Sequence, residues 1–230
     1  MSESLDQLRD DLLTASLILD SEGLVEGYGH VSVRVPGQQA MIMTPRKGLG
    51  LLTSPDEMVV VGLDGQLIDG DETPALESIM HGEVYRQRPD VQALVRTHSE
   101  YVNIMGILGR KPRVVHGFGS FLGAEIPIMQ RPLLITDVAL ARELAQVLGN
   151  AEAVLMRGNG DLVTGGNVAE ATVKAIFLEE SCRLQYLAMC AGEPQYFSDE
   201  ERAIRSNPGY DHFGRAWEYY KARVLSEEVF

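Results

Sequence analysis

Short apolar runs and stretches with helical spacing take turns along the whole chain, and no linker interrupts them. This alternation is the strongest restriction on the fold. Strands need cover for their apolar faces, and helices inserted between them supply it, so the pattern predicts an α/β domain of stacked layers. Leu5, Leu8, Leu12, Leu13, Leu17 and Leu19 form a helical stripe that Gly23 ends. Val31, Val33 and Val35 alternate with polar neighbours as in a strand, and Pro36-Gly37 turns the chain into a second strand at 40–43. MVVVGLDGQLIDG predicts two strands around a turn at Asp64-Gly65. A helix is predicted over 77–88 and stopped by Pro89, followed by an apolar strand over 91–96 that leads into Thr97-His98-Ser99. The segment 100–108 suits a helix ended by Gly109, and a further helix is capped by Thr136 or Asp137 and closed at Gly149. A strand at 153–156 runs into Arg157-Gly158-Asn159-Gly160, Leu162 and Val163 continue extended, and 169–191 form a long helix. The tail from about 193 holds a short charged helix, a break at Pro208-Gly209 and a final amphipathic helix. With no internal repeat, 1–230 reads as a single domain.

Composition narrows the partners. With 230 residues and 45% apolar content the chain can bury one sizeable core. Lys and Arg number 20 against 33 Asp and Glu, a formal charge of −13 with no dense basic patch. Such a chain is repelled by phosphate backbones and anionic lipid, so neither nucleic acid nor membrane is expected as a partner. The N-terminus lacks an apolar signal core and no run is long enough to span a bilayer, which predicts a cytoplasmic protein. Cys182 and Cys190 are read as reduced, mostly buried thiols, because eight positions along a helix separate them by about 12 Å. Neither a dinucleotide fingerprint nor a phosphate loop is present.

The histidines are His30, His81, His98, His116 and His212. His98 follows a buried strand, at a strand end where α/β proteins commonly place ligands. Arg96 lies two positions before it, so an extended backbone puts both on one face, a cationic pocket for a carboxylate or enolate. The ordinary alternative pairs Arg96 with an acid and lets His98 cap a helix. Glu77 and His81, four apart, share a helical face, which suits a metal ligand or a general acid/base, or simply a glutamate that favours a helix N-terminus. LMRGNGDLVTGG could bring backbone close to a ligand beside Asn159, or be only a turn.

Taken in order, GYGHVSVR, MTPRKG, PALESIMHGEVYRQRPDVQALVRTHS and VLMRGNGDLVTGGNVAEA resemble the class II aldolase/adducin family over 5–191. The resemblance implies a three-layer α/β/α fold with a central, mostly antiparallel sheet. It also implies a homotetramer with active sites between subunits, acting on a small-molecule acid. Its typical site holds a divalent metal on three histidines beside an acidic residue. Here Arg96 and Asn159 stand at two of those ligand positions, His98 keeps the third and Glu77 matches the acid. A guanidinium cannot ligate. Either the metal (zinc, manganese or iron) is gone, or it has moved to His98 with Glu77, His116 or Asn159.

The phosphate-binding hydroxyls of the family aldolases correspond to Gly29-His30 and Ala75-Leu76, while Thr44, Arg46 and Lys47 could hold a carboxylate. RVVHGFGSFLGAEIPI and GYDHFGRAWEYY resemble the branch that decarboxylates aromatic or heteroaromatic acids. In that reading Phe118, Phe121 and Tyr210 stack on the substrate, Tyr210, His212 and Trp217 cover a neighbouring subunit's pocket, and His30, Thr44, Arg46 and Asn159 line the site. The resemblance thus implies a lyase that cleaves a carbon–carbon bond. Decarboxylation of a non-phosphorylated hydroxylated ring acid is favoured, with Arg96 and His98 stabilising the anion and Glu77 or His116 carrying the proton. An aldolase or epimerase-like reaction on a small oxo-acid with a relocated metal, and a non-catalytic scaffold, are the other readings.

Overall fold

The computed structural model of the protein describes residues 4–207 and 209–226. Pro208, half of the predicted Pro-Gly break, lies outside them, as do 1–3 and 227–230. Among the described residues, strands β1 (His30–Arg34), β2 (Ala40–Met43), β3 (Val59–Gly62), β4 (Leu67–Asp69), β5 (Ala93–Arg96), β6 (Ile128–Met129), β7 (Ala153–Met156) and β8 (Asp161–Gly165) join in one sheet. The order is β4-β3-β2-β1-β5-β8-β7-β6, and all neighbours are antiparallel except β6 and β7. This is the mostly antiparallel central sheet that the resemblance implied.

Both sheet faces are covered, which makes three layers. Helices α1 (Leu5–Ser21), α3 (Glu100–Leu108), α5 (Val168–Ala191) and α7 (His212–Ser226) pack on one face, burying Leu12, Val102, Leu178 and Trp217 against Val31, Val33 and Val95. Helices α2 (Ser78–Gln87) and α4 (Val138–Leu148) pack on the other, where Met80, Val84, Leu144 and Leu148 meet Met41, Met43 and Leu94. A short α6 (Asp199–Arg205) links α5 to α7 in the tail. The alternating strand residues thus divide between two cores, as period two requires. α2 comes close to the β3–β4 hairpin because position 82 is glycine; a Cβ there would collide with the carbonyl of Leu63.

Local signals place the boundaries. Asp137 accepts the amide hydrogens of Ala139 and Leu140 at the start of α4, and Gly109 closes α3 with φ +61°. The sequence pattern misses β6, two residues paired in parallel with β7, and the 3₁₀ turns Leu49–Leu51, Pro55–Glu57 and Gly117–Leu122. Such pieces are too short to show a period. Cys182 is buried and free as expected, but Cys190 is exposed, because it lies on the outward face of the last turns of α5. No helix among the described residues is long and apolar enough to cross a membrane.

Candidate active site

The antiparallel register of β1 and β5 sets His30 directly opposite Arg96. Directly opposed residues share a sheet face, and here it is the face covered by α2. Glu77 is the N-cap residue of α2 but makes no side-chain capping bond, so its carboxylate is free to turn toward that pair. Its Oε2 lies 3.5 Å from Arg96 Nε and 3.7 Å from His30 Nε2, while Oε1 accepts the Ile135 amide hydrogen at 2.9 Å. Burial pushes this carboxyl up, but the His30 contact, the Arg96 charge and the Ile135 hydrogen bond together outweigh it and hold it at about 2. Glu77 is therefore an ionised, 5% exposed carboxylate at the wall of a cleft of about 640 Å³.

Tyr28, His30, Arg46, Leu76, His98 and Leu134 share that wall. His98 sits just beyond β5, with the Tyr28 ring edge-on at 6.4 Å. Burial, then the neighbouring Arg96 charge, lower its pKa to about 4, so it is a neutral imidazole at pH 7. Its carbonyl accepts from Asn103 Nδ2 at 2.9 Å, and Asn103 Oδ1 accepts the Gly160 amide hydrogen at 2.7 Å, which ties the His98 loop to the turn after β7. Lys47 is neutralised by Glu57 at 2.5 Å, which leaves the exposed Arg46 as the free cation among the described cleft residues.

Several predicted site residues are placed differently. Arg96 is fully buried and does not reach the cleft surface. Its Nη1 donates to the Thr97 and Asp161 carbonyls, and its Nε lies 3.5 Å from Glu77, on the side away from the cleft surface. Gly160, with φ +68°, leaves the space the guanidinium fills; a Cβ there would strike Thr97 and Arg96. Thr44 is fully buried and bridges strands through the Val31 amide at 3.1 Å, so it offers nothing to a ligand. Asn159 donates its amide to the Leu133 carbonyl at 3.4 Å and is not part of the cleft wall. His116, Phe118, Phe121 and Tyr210 lie elsewhere in the fold, because the 3₁₀ turn that carries Phe118 and Phe121, and that His116 precedes, packs on α5 and α7. His116 Nε2 pairs with Ser181 Oγ at 2.8 Å, Phe118 stacks on Phe177 at 4.5 Å, and Tyr210 tilts on His212 at 4.1 Å. Phe118, Tyr210 and His212 border a separate hollow of about 380 Å³, while Trp217 is buried in the core.

A three-histidine metal centre does not fit these donors. One position carries a guanidinium without a lone pair to give, and another carries an amide turned to Leu133. Nor do the donors suit the relocated set: His116 pairs with Ser181 and is not part of the cleft wall, and among the described residues no group of three or more His, Cys, Asp or Glu side chains is placed to share an ion.

Residues that the motifs did not single out complete the site. Asp161 is fully buried, its Oδ1 accepting the Thr97 amide at 2.9 Å and hydroxyl at 2.8 Å. Its Oδ2 and the Nε and Nη2 of Arg96 make no hydrogen bond within the protein, and the two groups act on each other through their charges. Burial raises Asp161 from 3.8 to about 6 against the pull of Thr97 and Arg96. The folded state therefore binds this proton more tightly than the unfolded chain, and the group's contribution to stability falls as pH rises from about 4 through 6. Asp161→Asn is expected to gain about 2 kcal/mol relative to the parent between pH 4 and pH 7. Urea unfolding at both pH values measures it, and a pH-independent difference would show that Asp161 titrates normally. Ser32 and Tyr85 extend from His30 and His81 away from the cleft; the spacing of Glu77, His81 and Tyr85 by four was a legible sign of them.

The family model for the Class II Aldolase and Adducin N-terminal domain matches residues 10–186. A 3,4-dihydroxyphthalate decarboxylase from Terrabacter sp. (strain DBF63) is 30% identical over 227 residues, covering 91% of this chain and 94% of that protein. A 5-deoxy-D-ribulose 1-phosphate aldolase from Bacillus thuringiensis serovar kurstaki is 27% identical, covering 84% of this chain and 91% of the other. The solved L-fuculose 1-phosphate aldolase from Glaciozyma antarctica PI12 shares the fold, with a TM-score of 0.86 at 21% identity over 99% of this chain and 94% of that one.

Proposed function

This chain belongs to the class II aldolase and adducin family and is a lyase, and on that footing we propose that it decarboxylates a non-phosphorylated, hydroxylated aromatic or heteroaromatic acid. One observation carries the reading: the cleft joins an ionised carboxylate at Glu77, a neutral imidazole at His98 and a free guanidinium at Arg46. The walls between them at Tyr28, Leu76 and Leu134 are aromatic or aliphatic, which suits a flat ring. Ala75 and Leu76 offer no side-chain hydroxyl where a phosphate would need donors. The resemblance to a dihydroxyphthalate decarboxylase over most of both chains supports the same choice.

Arg46 pairs with the substrate carboxylate, and His98 and Glu77 meet the ring hydroxyl. In the open cleft Glu77 is a weak base. A ring acid closing over it removes water and brings a second negative charge, and both effects raise its proton affinity. Glu77 takes the hydroxyl proton, and the oxygen's electron pair moves into the ring toward the carbon that bears the carboxylate. Glu77 returns the proton to that carbon. The carbon–carbon bond then breaks, its electron pair restores the aromatic ring as the carbonyl pair returns to the oxygen, carbon dioxide leaves, and the phenolate product takes a proton from water. Arg96 holds Glu77 ionised between cycles.

Tyr28, Leu134 and Leu76 are 77%, 56% and 50% exposed in the single chain. So much apolar surface at a cleft mouth suits cover by another copy in a tetramer, and the Phe118–Tyr210 hollow of a neighbour is the surface we assign to it. The test is a panel of hydroxylated benzoates, phthalates and pyridine carboxylates, read by carbon dioxide release and product identity. Turnover of a ring acid is expected. Aldehyde release from sugar phosphates, with every ring acid inert, would overturn the reading in favour of aldol cleavage.

A further inference from the structure

Behind the cleft runs an unbroken hydrogen-bonded chain. His30 Nδ1 lies 2.8 Å from His81 Nε2, His81 Nδ1 lies 2.6 Å from Ser32 Oγ, and Ser32 Oγ lies 2.8 Å from the Tyr85 hydroxyl. Two periodicities bring these groups into register. Glu77, His81 and Tyr85 are four apart on α2, a rise of about 6 Å per step. His30, Ser32 and Arg34 are two apart on β1, about 6.6 Å per step. The helix stripe and the strand stripe therefore stay matched over two steps, and each helix residue meets its strand partner.

We propose that Tyr85, Ser32 and His81 are positioning residues that fix His30 as a neutral donor, with its Nε2–H directed at Glu77 and the cleft. The inference rests on the reading of Glu77 as the reactive carboxylate. Two directions of the chain are conceivable. In one, the Tyr85 hydroxyl donates to Ser32, Ser32 to His81 Nδ1, His81 Nε2–H to His30 Nδ1, and His30 Nε2–H points to Glu77. In the other, every donor is reversed. Then the His30 Nε2 lone pair faces an ionised carboxylate at 3.7 Å. The Tyr85 hydroxyl is left with the Gln92 carbonyl at 3.4 Å, which already accepts the Arg34 amide at 2.8 Å.

The fixed charges choose between them. The Arg34 guanidinium stands 4.7 Å from the centre of the Tyr85 ring at the far end; at the near end the Glu77 carboxylate is the group that faces His30 Nε2, and the Arg96 charge paired with it weakens the bias but supplies no acceptor. Hydrogen-bond dipoles between a cation and an anion align with their hydrogens toward the anion. Both rings are buried, which lowers their pKa values and leaves each with a single proton to place. A ring nitrogen's hydrogen bond decides which of the two nitrogens carries that proton. His30 thus turns its Nε2–H toward Glu77 and the cleft, where it can donate to a substrate oxygen, and does not compete with Glu77 as a base.

Nitrogen-15 NMR of histidine-labelled protein, without substrate, tests this directly, with His30 assigned by its loss in His30→Gln. The expected result is a neutral His30 protonated at Nε2, and His81 likewise. Protonation of His30 at Nδ1, or an even mixture, overturns the proposal. A second arm compares His81→Met with His81→Gln, whose amide can still donate to His30 and accept from Ser32. The first is expected to lower kcat about 10- to 100-fold with little change in KM and to lose the fixed tautomer, while the second recovers both. Unchanged kcat in His81→Met overturns the functional half. Because the NMR arm needs no turnover, it stands or falls apart from the choice of substrate.

Discussion

Glu77→Gln is expected to lower kcat by about 100-fold or more while leaving the protein folded. The carboxamide is nearly isosteric and can still accept the Ile135 amide hydrogen through its oxygen. What it loses is the capacity to take a proton from the substrate and return it, and the negative charge that pairs with Arg96 and orients His30. Steady-state kinetics on the ring acid turned over by the parent protein measure the effect, and an unaltered kcat would remove Glu77 from the chemistry. The same substitution has a signature in stability. Glu77 is held at about 2 against an ordinary 4.5, so the folded state favours its ionised form. Its contribution, about 3 kcal/mol, is complete above pH 4.5 and lost as pH falls toward 2. Glu77→Gln should therefore flatten the acid limb of the stability curve in that window. Asp161 titrates against it from about 4 to 6 with the opposite sign, so the two groups are separable by pH.

The second large effect is on folding. Arg96→Met removes a fully buried guanidinium 3.5 Å from Glu77 and leaves Glu77 and Asp161 without their shared counter-charge. Breaking a buried pair from one side costs about 3–5 kcal/mol, because the remaining charge stays desolvated. Urea unfolding at pH 7 should show a lower midpoint with an unchanged slope. The double variant Glu77→Gln/Arg96→Met is expected to be less destabilised than the two single changes added together, since it leaves one orphaned carboxylate fewer. Strict additivity would mean that the two side chains do not interact. Removal of Arg96 also raises the proton affinity of Glu77, because a lowering charge is gone.

Much of the architecture was legible because its signals are local. The Leu5–Leu19 stripe, the Asp137 cap and the Gly109 stop each act within a few residues of the element they define, and α1, α4 and α3 lie where those signals put them. Of the candidate site, Glu77, His98, His30 and Arg46 share the cleft. The placement of Arg96 failed for a specific reason. Spacing by two puts Arg96 and His98 on one face only while the backbone stays extended, and β5 ends at Arg96. His98 turns outward to the cleft, and Arg96 turns inward to fill the space over Gly160. His116 and Phe118 were grouped with the site through the resemblance, and Tyr210 as cover for a neighbouring subunit's pocket; within one chain they lie along the 3₁₀ turn on α5 and in the tail, apart from this cleft.

Periodicity, caps and turn residues, read from the chain alone, determined the succession of strands and helices and the layered class, since these depend on neighbours within a turn or two, and the resemblance singled out Glu77 as the candidate acid. Only the tertiary structure decided that His30 faces Arg96, that α2 lies in step with β1, and that a guanidinium is sealed behind a carboxylate instead of meeting a ligand. Those outcomes depend on cross-strand register and on which side of a strand each residue finds cover. Both are settled by contacts between stretches dozens of residues apart, and no local pattern encodes them.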